Sequence, residues 1–329
     1  MDTFRTVLPN APSPFPIGLS DRCLTVGSCF ADHLGQLLLD HKFETLANPF
    51  GTSYNPISIH KSLGYAIQNE LPSENTYGEL NETFFNYDFH SSFSSLDRDA
   101  LRHNIARAIG QAHDFLKSAT VLLITYGTSW AYERKATGDI VSNCHKVPSV
   151  EFDKQLLTQK KIIESFDGLY RQLTALNPGI RTILTLSPVR HLRDTLELNA
   201  VSKSILRLTC HTLGQAYPRV EYFPAYEIVL DDLRDYRFYD RDLLHPSAEA
   251  IGYIWRYFGG RYFAPGTARF VKQWESIRKA LAHRPYQPGS ATHQKFLKQL
   301  VSQLEELKST VNVDKEIGQV QGQMQAFNG

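Results

Sequence analysis

Two stretches far apart in this 329-residue chain hold side chains suited to chemistry. In Cys23-Leu24-Thr25-Val26-Gly27-Ser28-Cys29-Phe30-Ala31, a short apolar run stops at a glycine and a hydroxyl residue, and an amphipathic helical pattern follows. That is a strand, a tight turn and a helix start. A side chain at the turn stands beside the unpaired N–H groups and positive end of the helix. Ser28 is therefore a candidate nucleophile, and Cys29 is a rival because a thiolate at a helix start is stabilised. Downstream, Asp242-Leu243-Leu244-His245-Pro246 sets a carboxylate three residues before an imidazole. Asp242 can orient the ring while His245 takes the nucleophile's proton. The plainer roles are a helix N-cap for Ser28, a small buried thiol for Cys29 and a helix-entry residue for His245.

The elements between must bring these ends together. Continuous apolar runs at 120–125 and 182–186, with shorter ones at 23–26, 43–47 and 220–223, read as strands of a parallel sheet. Helical spacing is predicted over 30–41, from 57, and over 97–118, 152–176, 199–216 and 247–263. Strands alternating with helices imply right-handed crossovers and a sheet covered on both faces, an α/β fold. In such sheets the ligand crevice lies outside the carboxyl ends of the strands. Ser28, Gly127-Thr128-Ser129 and Arg190-His191 each follow a strand end and should converge there. Arg190 and His191 suit a substrate oxygen or anion, or a structural ion pair. Asn143, His145 and Lys146 are candidate donors to the same pocket, or ties within a polar loop. Residues 70–95 are polar and aromatic without periodicity and read as an excursion over one end of the sheet.

Composition excludes several classes. With 42% hydrophobic and 21% charged residues the chain is an ordinary globular protein, and a net charge of +1 gives no general attraction to nucleic acid or an anionic membrane. The first 21 residues hold no apolar segment of signal or membrane length, so a cytoplasmic location is expected. Four cysteines without a CxxC pair make reduced thiols the default. Cys144, His145, His191, Asp242 and His245 could in principle make a mixed zinc site, but none has the spacing of a known motif, and no metal is expected.

Past Gly266 the pattern is helical, at 268–282 and 293–311, after a main domain over 1–265. Residues 266–329 form a C-terminal helical extension. Leu297, Leu300, Leu304, Leu307 and Val311 follow coiled-coil spacing over two heptads, fewer than a coiled coil requires. Packing on the body is expected, with a homo-oligomer through this helix as the alternative. Beyond Asp314 few anchors remain and mobility is expected.

Gly27-Ser28-Cys29-Phe30-Ala31 resembles the signature of the GSCFA family, a bacterial group placed among the SGNH (GDSL-like) hydrolases. The resemblance continues in Asn48-Pro49-Phe50-Gly51-Thr52-Ser53-Tyr54-Asn55-Pro56, Gly127-Thr128-Ser129-Trp130, Asn143-Cys144-His145-Lys146, Ser187-Pro188-Val189-Arg190-His191, the run 231–239 and His245-Pro246-Ser247. It implies a three-layer α/β/α, flavodoxin-like hydrolase fold and ester-cleaving or acyl-transferring chemistry. It further implies Ser28 as nucleophile, with its N–H and that of Gly51 in the oxyanion hole. The third block of the superfamily reads Gly-x-Asn, whereas Ser129 stands here at the asparagine's place. Either Ser129, Asn143 or Asn55 is then the remaining donor, or the activity is slow or specialised, since a missing donor costs about 10²–10³ in rate. The expected activity is that of a serine esterase using Ser28, His245 and Asp242 without a cofactor. By analogy its substrate is a small or carbohydrate-borne ester such as an acetyl group, with Asn55, Thr128, His145, Lys146, Arg190 and His191 as binding groups. Acyl transfer on the same fold, or a non-catalytic saccharide- or peptide-binding module, are the alternatives.

Overall fold

A computed structural model describes residues 5–325. Along the chain, β1 (Arg22–Gly27) leads into α1 (Cys29–Asp40), β2 (Glu44–Ala47) and α2 (Pro56–Gln68). A hairpin of β3 (Tyr77–Leu80) and β4 (Thr83–Asn86) precedes α3 (Arg98–Leu116) and β5 (Val121–Tyr126). Next come β6 (Trp130–Arg134), β7 (Asp139–Val141), β8 (Phe152–Leu156) and α4 (Gln159–Leu176). Then follow β9 (Arg181–Leu186), α5 (Thr195–Ala216), β10 (Val220–Phe223), the short α6 (Ala225–Glu227) and α7 (Ala248–Tyr262). The C-terminal helices are α8 (Pro265–Leu281), α9 (Ala291–Leu307) and α10 (Asp314–Gln325).

The central sheet has the order β10-β9-β5-β1-β2, and every pairing in it is parallel. Counting only these five strands, the order is the flavodoxin-like 2-1-3-4-5, which reverses direction between β1 and β5. The period-2 alternation of strand side chains divides the interior. Cys23, Val121, Leu123 and Ile183 enter one core with α1 and α7, while Leu24, Val26, Leu122, Ile124 and Leu184 enter another with α2 to α5. This is the three-layer α/β arrangement expected from the apolar runs. Contact between α1 and the sheet is close. A Cβ on Gly35 would lie 2.7 Å from both Thr25 Oγ1 and Ala47 Cβ.

The C-terminal helices belong to the first of these cores. Leu297, Leu300, Leu304 and Leu307, the coiled-coil-like stripe, are buried with Phe30, Leu34 and Leu38, so the chain itself covers that seam. Helix α8 also closes the far end of α1. Trp274 Nε1 donates to the Asp40 carbonyl at 2.7 Å and Arg278 pairs with the Asp40 carboxylate at 2.7 Å. From α10, Glu316 reaches Lys42 at 2.8 Å. The mobility expected after Asp314 is corrected accordingly: Val313, Ile317 and Val320 form a short buried stripe that anchors α10, and 326–329 lie outside the described residues.

Two other expectations are corrected. The helix predicted over 152–176 begins only at Gln159, because Phe152–Leu156 pairs antiparallel with β6, a non-local partner that helical periodicity cannot reveal. The excursion at 70–95 contains the β3–β4 hairpin, whose turn residues Asn81 and Glu82 both have positive φ (48° and 62°), as a two-residue hairpin turn requires. Among the described residues, no helix is long and apolar enough to cross a membrane.

Candidate active site

Helix α1 begins at the reversal of strand order, where an open α/β sheet forms its crevice. The turn into it is tightly made. Gly27 has φ 133°, and a Cβ there would lie 2.2 Å from the Thr125 carbonyl oxygen, which only glycine avoids. Asn48 braces the turn from the side: its Oδ1 accepts from Gly27 N–H at 3.0 Å and its Nδ2 donates to Asp32 Oδ1 at 2.9 Å. Ser28 is the N-cap of α1, fully buried, with Oγ accepting from Phe30 N–H at 3.4 Å. Its own N–H donates to the Thr125 carbonyl at 3.1 Å. Cys29, the first helical residue, instead lines a cavity of about 630 Å³. That cavity does not include Ser28 in its lining.

His245 lines the same cavity. The Asp242 carboxylate is held down to about 2 by the backbone N–H groups of His245 and Leu244 and by the His245 side chain, so at neutral pH it only accepts. Its Oδ2 lies 2.6 Å from His245 Nδ1. The proton of that bond therefore sits on Nδ1, which leaves the lone pair on Nε2 available as a base. The loop is fixed by Asp240 N–H donating to the His245 carbonyl at 2.7 Å and by Leu243 with φ 60°. Arg190 N–H donates to the Leu244 carbonyl at 3.2 Å, joining this loop to the end of β9. One turn along α1 from Cys29 stands His33, lowered first by burial and also by the charge of His245.

Of the side chains expected to bind substrate, Asn55, Thr128, His145, Lys146, Arg190 and His191 all line the cavity, as does Asn143. Asn55 also caps α2 by accepting from Ser58 N–H at 2.9 Å, and His145 Nε2 donates to the Asn86 carbonyl at 2.8 Å. The expected oxyanion donors are placed differently. Gly51 N–H is bonded to the Asn48 carbonyl at 2.9 Å, and Ser28 N–H is taken by Thr125. Ser129 is fully buried, its N–H donating to Ser202 Oγ at 2.8 Å. Asn143 Oδ1 accepts from His145 N–H at 2.8 Å, so its amide nitrogen remains as a donor at the cavity. Trp130, Tyr132 and Arg193 were missed by sequence reasoning: the first two reach the wall through the pairing of β6 with β8, and Arg193, which follows β9, lies over the Tyr132 ring with Cζ 5.7 Å from its centroid. For Cys29 a signal existed: Phe30, Leu34 and Leu38 fix the buried stripe, and Cys29 and His33 share the stripe beside it. Among the described residues, no group of three or more His, Cys, Asp or Glu is arranged to hold a metal ion.

Burial raises the Cys29 thiol above its ordinary value, and the Asp32 carboxylate adds to this; Lys203 and the N–H groups of Phe30 and Cys29 act in the opposite direction. A thiol shifted upward keeps its proton at neutral pH and needs a base to react. Lys203 is itself unusual. It is 1% exposed and donates from Nζ to the carbonyls of Gly127 and Ser187 at 2.7 and 2.6 Å, tying together the chain leaving β5 and β9. Burial pushes its ammonium down to about 7.

Comparison with known proteins assigns the chain. No curated protein matches it. A solved structure described as "the structure of a putative platelet activating factor from Streptococcus pneumonia" is similar at 10% identity and a TM-score of 0.38, over 73% of this chain and 82% of that one. A likeness that distant says nothing of function. Residues 274–326 match the GSCFA domain protein, C-terminal domain, and residues 22–258, which hold every cavity residue named above, match the GSCFA family model. The chain belongs to the GSCFA family.

Proposed function

We propose that this protein is an acyl hydrolase or acyltransferase in which Cys29, rather than Ser28, is the nucleophile. His245 Nε2 takes the thiol proton as Sγ attacks an acyl carbonyl. The tetrahedral oxyanion forms beside the Cys29 N–H and the Asn143 amide. As the C–O bond breaks, the proton on His245 passes to the leaving alcohol, and a thioester remains on Cys29. Water, or an acceptor hydroxyl, then attacks the thioester with His245 again as base, and the sulfur leaves to regain its proton. Asp242 holds the imidazole in the Nδ1–H form and stabilises the imidazolium. The observation that carries this reading is that Cys29 and His245 line one cavity while the 2.6 Å Asp242 contact fixes the ring. Membership of the SGNH hydrolases is part of the proposal, supported by the strand order and by an Asp-x-x-His pair after the last strand. An ester of a carbohydrate, such as an acetyl ester, is the substrate that this membership suggests.

The test is turnover of an ester panel together with mass mapping of the acylated protein. Cys29→Ala should lower turnover by about 10³ or more, and an adduct released by hydroxylamine should map to Cys29. Ser28→Ala should instead lose about 1 kcal/mol of stability with its cap. A Cys29→Ala protein that kept ordinary turnover, or an acyl group found on Ser28, refutes the assignment.

A further inference from the structure

The cavity carries a charge pattern that acyl transfer by itself does not require. Lys146, Arg190 and Arg193 all line it. Arg190 is spread over the rings of Tyr239 and Tyr236, with Cζ 4.1 and 5.1 Å from the centroids. Lys146 and Arg193 are exposed, and neither has an ion-pair partner among the described residues. The carboxylate in the lining, Asp194, is already paired with Lys154. This excess is local, since the whole chain has 35 basic and 34 acidic residues. Concave, low-dielectric walls of one charge sign concentrate ions of the other.

A second observation concerns hydrogen bonding. Trp130 Nε1 and His191 Nε2 are buried in the lining without a hydrogen-bond partner among the described residues. An indole N–H can only donate, so the Trp130 site calls for an acceptor. Burial, with Lys203 and His245 nearby, lowers His191 to about 4, so its ring is neutral at physiological pH and adds no charge of its own. Cations at the mouth and an unanswered donor within are complementary to an oxyanion.

We propose that the acyl substrate carries an oxyanion, a carboxylate or a phosphate, which Lys146 and Arg193 draw into the cavity and the Trp130 N–H helps to hold. The word substrate rests on the acyl-transfer reading, but the anion site can be tested without turnover. Iodoacetate and iodoacetamide both alkylate a thiolate with loss of iodide and differ in charge. Adducts on the full-length chain would be mapped at Cys29 and Cys144, which both line the cavity, against a cysteine peptide as reference. The iodoacetate-to-iodoacetamide rate ratio should exceed the peptide's by about tenfold at low salt. It should fall toward the peptide's at high ionic strength. In the Lys146→Gln, Arg193→Gln double variant it should drop severalfold. A ratio no greater than the peptide's, no iodoacetate adduct at either cysteine, or a ratio unchanged in the double variant overturns the proposal. Inorganic phosphate and malonate as competitors then decide the source, the one that protects at lower concentration naming the group. Esters turned over by a protein with an unexceptional ratio would leave the acyl chemistry standing without the anion site. A raised ratio with no turnover would do the reverse.

Discussion

Lys203 offers a measurement of how the site is built. The perturbation is Lys203→Met, which keeps the length of the side chain and removes its nitrogen. In the folded protein burial lowers this ammonium to about 7, against an ordinary 10.5. Below pH 7 both folded and unfolded chains hold the proton, so this group adds no pH dependence. Between 7 and 10.5 the unfolded chain holds it and the folded one does not, and stability therefore rises with pH. Loss of the charge keeps the fold intact, because a neutral amine still has two hydrogens for the carbonyls of Gly127 and Ser187. Each pH unit in that window is worth about 1.4 kcal/mol per proton. From pH 7 to 9, allowing for half-titration at the start, the gain is about 2 kcal/mol. Thiols and phenols titrate over the same range, so the quantity to read is the difference between wild type and Lys203→Met. Urea unfolding at pH 7, 8 and 9 gives it. At pH 7 two effects oppose each other in the variant, the loss of a donor to two buried carbonyls and relief from burying an ammonium, but from pH 7 to 9 its stability relative to wild type should fall by about 2 kcal/mol. A stability difference that stays constant across these pH values refutes a depressed, buried ammonium.

Other outcomes follow from the same geometry. Asp242→Asn removes the acceptor that keeps the Nδ1 proton in place, and turnover should fall by about 10²–10⁴, with the thermal midpoint nearly unmoved because the side chain is 46% exposed; near-wild-type rates would remove Asp242 from the mechanism. Because the Cys29 thiol is shifted upward, its iodoacetamide labelling should still be climbing above pH 9, and a plateau reached by pH 8 would contradict the shift. Gly35→Ala puts a methyl group against Thr25 and Ala47 and should cost about 1–3 kcal/mol in chemical denaturation; an unchanged midpoint would show that α1 stands off the sheet.

The strands of the central sheet were legible because β1, β5 and β9 are apolar runs, buried on both faces, and their alternation with helical patterns leaves few topologies. Asp242 and His245 were legible for a different reason: a spacing of three residues lets a single turn close the contact. Which of Ser28 and Cys29 lines the cavity was not, since a shift of one residue moves a side chain from the helix cap to the helix face. The cavity's far wall was hidden as well. Phe152–Leu156 alternates only weakly, and its strand character comes from pairing with Trp130–Arg134 more than fifteen residues earlier. The bonding of the expected oxyanion donors was hidden on a similar ground, for the acceptors that meet the N–H groups of Ser28 and Gly51 are set by how the turns fold.

Helix α1 is a rod of roughly 18 Å with the sulfur at one tip. Its opposite tip is gripped by Trp274, Arg278 and, through Lys42, Glu316. The terminal helices therefore act as a vice on the helix that carries Cys29, and under the proposed chemistry cutting them away should blunt turnover from the far side of the molecule without touching a single group in the crevice.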